Sequence, residues 1–300
     1  MELKPFLSFD EQINLLRNRG LVIPNVAEFS KFLSENNYYR VNPYFKKHST
    51  ETNVFYEGTT STKIVQAYKI DVIFRNILLT ALQTIEVNFR TRLAYSLAEQ
   101  LGPDCIYQEN SFCSPTVFAD YHSHFSEYIS IKRNDPIILH HVNNYDRKFP
   151  IWVIVEIQTF GENSKLFSNL NREQRQNIST YFRGLKSNTL QDWIYCLVDL
   201  RNTCAHYQYL YKLNLKRHPG KTIFFKKNKI NTSSIFCAIL LIARLLEVKD
   251  FFKFMLTISR FEKRFPDGYL SNYGFPINWQ ELLSTFAISD TFLNEDLTNH

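Results

Sequence analysis

The sequence predicts an all-α protein, and three observations carry that prediction. With 44% hydrophobic residues and only 8 Gly and 10 Pro in 300 residues, the chain can build a large core of long helices, and disorder is not expected. Between about Ser61 and Gln100, Leu78, Leu82, Ile85, Phe89 and Leu93 recur at spacings of three and four, the helical period. Ser8-Phe9-Asp10-Glu11 and Asn25-Val26-Ala27-Glu28 both have the spacing of a capping box.

The first of these boxes opens a helix that stops at Gly20, and the second opens one that runs to about Asn36. The segment from about Ser61 to Gln100 is the central rod of a bundle, ended by Gly102-Pro103. Shorter helices follow at about 115–130, 136–147, 151–168, 171–182, 189–207, 233–247 and 250–262. From Lys212 to Lys229 the pattern changes. Leu213 to Leu215 and Thr222 to Phe225 flank the turn signal His218-Pro219-Gly220, which predicts a small basic hairpin. Three hundred residues approach the limit for one core, and a single elaborated domain over 1–300 is expected, with 103–150 the candidate insertion because its pattern is weakest.

The predicted helix from about Thr189 to Tyr207 carries the most chemistry. At about 100° per residue, Trp193, Leu197, Leu200 and Cys204 fall within roughly 60° of one another and face a core. Tyr195, Asp199, Asn202 and His206 gather opposite. Asn202 and His206 are stacked neighbours, while Arg201 lies about 140° round the cylinder from His206. Arg201 must therefore reach around, or act with a His from another copy. An Arg and a His brought together can bind a phosphodiester, stabilise charge on its oxygens and move a proton, which is what RNA cleavage without a metal requires.

Arg201-Asn202-Thr203-Cys204-Ala205-His206 resembles the Arg-x4-6-His signature of HEPN ribonucleases. Much of the remaining chain is similar to the AbiF and AbiD type of bacterial abortive-infection protein. The similar stretches are Phe9-Asp10-Glu11-Gln12 with Arg19-Gly20-Leu21, Asn37-Tyr38-Tyr39-Arg40, Tyr68 with Asp71 and Arg75, Ile85-Glu86 with Arg90, and Trp152 through Glu156 to Phe160-Gly161 and Ser164-Lys165. After the His such proteins usually read Arg-Leu-Trp-Asn, where this chain has Tyr209-Leu210-Tyr211-Lys212. The resemblance implies a HEPN-type helical bundle with helical insertions, its core including about 61–100 and 150–262. It also implies a homodimer with a composite site, metal-independent endoribonuclease activity, and a role in phage defence or as a toxin, which allows restraint by a small antitoxin RNA. On this reading Arg201 binds the phosphate, His206 moves the proton, and Asn202 orients His206 or the phosphate. Glu86 and Arg90, four apart, form a helical ion pair or orient Arg201 or His206. The same Arg and His in a non-catalytic protein would hold a small RNA, and in a structural scaffold they would join a buried polar network.

The net charge of +6 is unevenly placed. From Leu200 to Leu246 there is no Asp or Glu, while Arg201, Lys212, Lys216, Arg217, Lys221, Lys226, Lys227, Lys229 and Arg244 are positive. Such a field attracts RNA phosphates, unless it is merely a solvated loop. Tyr207, Tyr209, Tyr211, Phe224 and Phe225 interleave with the charges, where rings stack unpaired bases or pack in a core.

Five scattered cysteines without a C-x-x-C pair argue against a disulfide framework or a Cys-type zinc site and fit a reducing cytoplasm. Glu2, Lys4, Asp10 and Glu11 leave no apolar signal-peptide core. The apolar run Ile235–Leu246 contains Arg244 and is too short for a membrane span, so it reads as a buried helix. Asp120, His122, His124 and Glu127 are metal-ligating types, but the two His rings point about 160° apart on a helix, which favours a solvated face. Ser164-Lys165 diverge on a helix and read as structural rather than as a nucleophile pair, and no phosphate-cradling Gly loop is present. No metal or cofactor is expected.

Overall fold

The computed structural model describes residues 3, 5–265 and 268–288. Over these residues the chain is all-α, with isolated bridges in place of strands. The helices are α1 (Phe9–Asn18), α2 (Val26–Glu35), α3 (Tyr38–Lys46), α4 (Ser61–Leu101), α5 (Pro115–Ile131), α6 (Pro136–Asn144), α7 (Ile151–Ile157), α8 (Phe160–Asn169), α9 (Arg172–Thr180), α10 (Ser187–Ala205), α11 (Ile223–Lys227), α12 (Ile235–Leu245), α13 (Val248–Arg264) and α14 (Trp279–Ile288).

The 41-residue α4 is the rod around which the rest packs, touching α3, α7, α8, α9, α10, α12 and α13. Its predicted stripe is fully buried, from Leu78 through Leu82, Ile85 and Phe89 to Leu93. Thr60 caps its start by accepting from the Lys63 amide, and Gly102, at φ +88, ends it. Buried residues form two clusters. One surrounds the middle and C-terminal half of α4, and the other gathers α1, α2 and α3 against its N-terminal turns, with Tyr211 inserted from far along the chain.

Local chemistry explains most boundaries. Ser8 and Glu11 close a reciprocal capping box, whereas at α2 the Asn25 side chain accepts from the Glu28 amide without the return bond. The expected helix 151–168 is two helices, because Thr159 and Glu162 form a capping box of their own and start α8 afresh after Gln158. Three helices lie outside the expected set, α3, α11 and α14. In α3, Pro43, five residues past the first helical residue Tyr38, hides the period. α12 is buried along its whole length, as its apolar run predicts. Among the described residues no helix is long and apolar enough to cross a membrane.

The basic hairpin is corrected. Residues 212–222 form turns and loop, and Thr222 caps the short helix α11 by accepting from the Phe225 amide. Consecutive residues of a strand face opposite sides, so a hairpin would bury only one of Phe224 and Phe225. In the helix both are buried, with ring centroids 4.9 and 5.4 Å from Phe286 of α14.

Candidate functional site

α10 buries the predicted stripe of Trp193, Leu197, Leu200 and Cys204 and leaves Tyr195, Asp199 and Asn202 half-buried opposite it. Arg201, between the two faces, turns to α4. Its Nε donates to Glu86 Oε2 at 3.0 Å and its Nη2 to Glu86 Oε1 at 3.4 Å, while Nη1 donates to Asn202 Oδ1 at 3.2 Å. Glu86 is almost buried and also accepts from Arg90 Nη2 at 2.6 Å. Arg90 reaches on to Glu156 Oε2 of α7 at 3.3 Å. The result is an alternating row Arg201, Glu86, Arg90, Glu156 in which Glu86 fixes the plane of Arg201 through two bonds. Three of the five guanidinium N–H groups are engaged, and the side chain is 28% exposed, so donors remain for an anion. Asn202 thus orients Arg201, and among the described residues its carboxamide makes no hydrogen bond to His206.

His206 is not inside the helix but at its C-cap, one residue beyond Ala205. The Tyr207 amide donates to Cys204 O at 3.1 Å and the Gln208 amide to Thr203 O at 2.9 Å, the pair of bonds of a Schellman motif. Its left-handed position, normally glycine, is held by Tyr207 at φ +58. Such a conformation persists where its surroundings over-determine it. Arg40 Nη1 donates to Tyr207 O at 3.0 Å, Arg75 Nη1 to Gln208 O at 3.1 Å, and the Leu210 amide to Asp71 Oδ2 at 2.9 Å. The strap 207–210 is therefore pinned from α3 and α4, and His206 is left exposed, with no hydrogen bond to its ring among the described residues.

The anchor of that strap is a buried network. Asp71, fully inaccessible, accepts from Tyr44 Oη at 2.6 Å, Arg75 Nη1 at 3.0 Å and Tyr273 Oη at 3.1 Å besides Leu210. Burial pushes the Asp71 carboxyl up, against the four donors that pull it down. Burial likewise pushes the Cys204 thiol, inside the motif, up to about 12, which removes it as a nucleophile.

Arg201 and His206 share one end of α10, but no hydrogen bond joins their side chains among the described residues. Most of the predicted basic residues lie elsewhere. Lys216 and Arg217 line a cavity of about 490 Å³ with Asp192, Tyr195, Cys196 and His218, the Arg217 guanidinium 5.8 Å from the Tyr195 ring centroid. Gly220 N donates to Asp192 Oδ2 at 2.9 Å, next to Lys221. Lys226 and Lys227 close α11 and Lys229 follows it, all exposed. Lys212 alone of the set joins the strap, its Nζ 5.3 Å from the Tyr211 ring centroid. Asp120, His124 and Glu127 line a separate cavity of about 360 Å³ between α5 and α8, and His122 Nε2 is spent on Ile106 O. Among the described residues no three His, Cys, Asp or Glu side chains gather as metal ligands.

The residues that sequence reading left without a role are Asp71, Arg75, Arg40, Tyr44 and Glu156. A signal existed for the first two. Asp71 and Arg75 continue the stripe Leu78–Leu82–Ile85 toward the N-terminus, and charges in core phase, four apart, mark a buried pair.

A family model described as Abi-like protein matches residues 31–212, from α2 through the motif to the strap. The chain belongs to the Abi-like protein family, and this membership supports a place in abortive-infection phage defence. No curated protein and no solved structure gives a significant match.

Proposed function

We propose that the chain is a HEPN-type, metal-independent endoribonuclease of the AbiF/AbiD kind, cleaving single-stranded RNA in phage defence or as a toxin. The observation that carries this reading is the pair at the end of α10, a guanidinium aligned by Glu86 and Asn202 with donors to spare, and an exposed His206 fixed at a Schellman cap. Arg201 binds the scissile phosphate and stabilises its added charge. His206 takes the proton from the ribose 2′-hydroxyl or delivers one to the leaving 5′-oxygen. The 2′-oxygen attacks phosphorus, the bond to the 5′-oxygen breaks, and the products are a 2′,3′-cyclic phosphate and a 5′-hydroxyl.

The test is incubation of purified protein with end-labelled single-stranded RNA beside an Arg201→Ala, His206→Ala double variant. Cleavage by the wild type with cyclic-phosphate ends, unaffected by EDTA, is the expected result. Tight binding without cleavage would leave the non-catalytic RNA-binding reading; loss on EDTA restored by magnesium would overturn the metal-free mechanism.

One His is a poor acid and base for a single concerted step, and Arg201 faces α4 rather than His206. A homodimer in which an isologous contact brings two motifs together answers both points. Mixing wild type with excess His206→Ala should then depress activity below the value set by dilution. Activity strictly proportional to the wild-type fraction, from a protein that sediments as a monomer, would refute the composite site.

A further inference from the structure

Three cations stack over three tyrosines beside His206, and two of those cations come from the N-terminal helices. The strap 207–212 runs alongside α3. Arg40 Cζ lies 5.5 Å from the Tyr207 ring centroid, Lys47 Nζ 5.9 Å from Tyr209, and Lys212 Nζ 5.3 Å from Tyr211. Tyr44 lies between, its ring 6.3 Å from Tyr209 and 6.2 Å from Tyr211, and His48 stacks on Tyr211 at 5.6 Å with planes 9° apart. Lys63, at the start of α4, is near enough that its charge, like that of Lys212, acts on His48. Tyr39 and Tyr207 stand out from it, 71% and 66% exposed. Among the described residues none of Arg40, Lys47, Lys63 and Lys212 has a carboxylate partner within 4.0 Å, in contrast to Arg90 and Arg92, which are paired.

Unpaired cations would suit any polyanion, but cations beside the exposed rings of Tyr39 and Tyr207 suit one class in particular. Unpaired bases stack on tyrosine and on guanidinium planes while lysines meet the phosphates between them. A duplex hides its base faces, and an acidic peptide has none to offer the rings. From Arg40 to Lys47 the face extends about 10 Å along α3, starting at the residue that follows His206. We infer that this face, α3 with Lys63 and the strap 207–212, binds single-stranded RNA on one side of the scissile phosphate, bases against Tyr39 and Tyr207 and phosphates against Arg40, Lys47, Lys63 and Lys212. It deepens the proposed ribonuclease reading by giving the strand a path over the N-terminal helices, away from Lys216–Lys229.

The experiment uses the full chain carrying His206→Ala, so that binding is read without cleavage. Fluorescence anisotropy with a labelled oligouridine is compared for that protein and for two further variants of it, Lys47→Gln with Lys63→Gln, and Arg40→Gln. The lysine pair touches no strap backbone and keeps the test valid should Arg40→Gln move the loop. Loss of two phosphate contacts should weaken binding about tenfold at low salt and flatten the salt slope by about 1.4. Photocrosslinking of a 4-thiouridine oligomer should label Tyr39 or Tyr207. Unchanged affinity in the lysine pair, crosslinks confined to 216–229, or stronger binding to an acidic peptide than to RNA would each overturn the inference. These outcomes separate the two readings: wild-type cleavage with unaltered binding in the lysine variant removes the α3 path alone, whereas the predicted binding loss without any cleavage leaves the path and removes the nuclease.

Discussion

His206→Ala should slow RNA cleavage by about 10²- to 10⁴-fold, the usual contribution of one positioned proton-transfer group, and leave thermal unfolding almost unchanged. The stability half of this expectation follows from the site. The imidazole is exposed, makes no hydrogen bond among the described residues, and sits at a cap whose two bonds are made by the neighbouring Tyr207 and Gln208 amides. Surface changes of this kind move stability by about 0.5 kcal/mol or less. Arg201→Ala gives the contrast. It deprives the nearly buried Glu86 of two donors and leaves only Arg90, so it should cost about 1–3 kcal/mol along with activity. Initial cleavage rates and melting curves of the two single variants check both halves. A His206→Ala protein that melts well below the wild type would assign the residue to a structural network instead.

Arg75→Met should be the most damaging single change to the fold near the site, costing about 3–5 kcal/mol. Arg75 and Asp71 are both buried on α4 one turn apart, and Arg75 also holds Gln208 O. Methionine fills much of the space but leaves the Asp71 carboxylate with Tyr44, Tyr273 and the Leu210 amide and no countercharge. The pH dependence has a definite sign. Burial already raises the Asp71 carboxyl in the folded chain, and Arg75 is one of the groups that lowers it. Removing Arg75 raises it further, so the folded variant takes up a proton more readily than the unfolded chain. The penalty is then full above the raised value and shrinks as pH falls through it. Urea unfolding across that range measures it. A loss under about 1 kcal/mol at neutral pH, or a loss that grows on acidification, would contradict the assignment of a buried ion pair. In the folded fraction the strap loses one of its three anchors, so cleavage should fall as well.

The helical class, the central rod and the apolar stripe of α10 were legible because each rests on period alone. Leu78 to Leu93 and Trp193 to Cys204 lie where a step of about 100° puts them. Boundaries were legible where a side chain caps the backbone, as at Ser8 and Asn25, and misread where a second capping box, Thr159 with Glu162, lay hidden inside a continuous helical pattern. Pro43 hides α3, and the basic segment reads as a hairpin because a turn signal between short apolar runs does not say what those runs will pack against. Phe286, distant in sequence, decides that, and makes α11 a helix with two buried rings.

The same division holds at the site. By itself the sequence determined which residue types stand together at the end of α10, that Arg201 and His206 cannot lie on one face, and that Glu86 and Arg90 stand one turn apart on one helix. Only the tertiary structure decided that Glu86 is the group that orients Arg201, that Asn202 serves the same side chain, and that His206 is a cap held in place by Arg40, Arg75 and Asp71. Periodicity fixes the angle of a side chain about its own helix axis. Which helix meets it depends on contacts across more than a hundred residues, 115 between Glu86 and Arg201 and 139 between Asp71 and Leu210, and no local spacing encodes those.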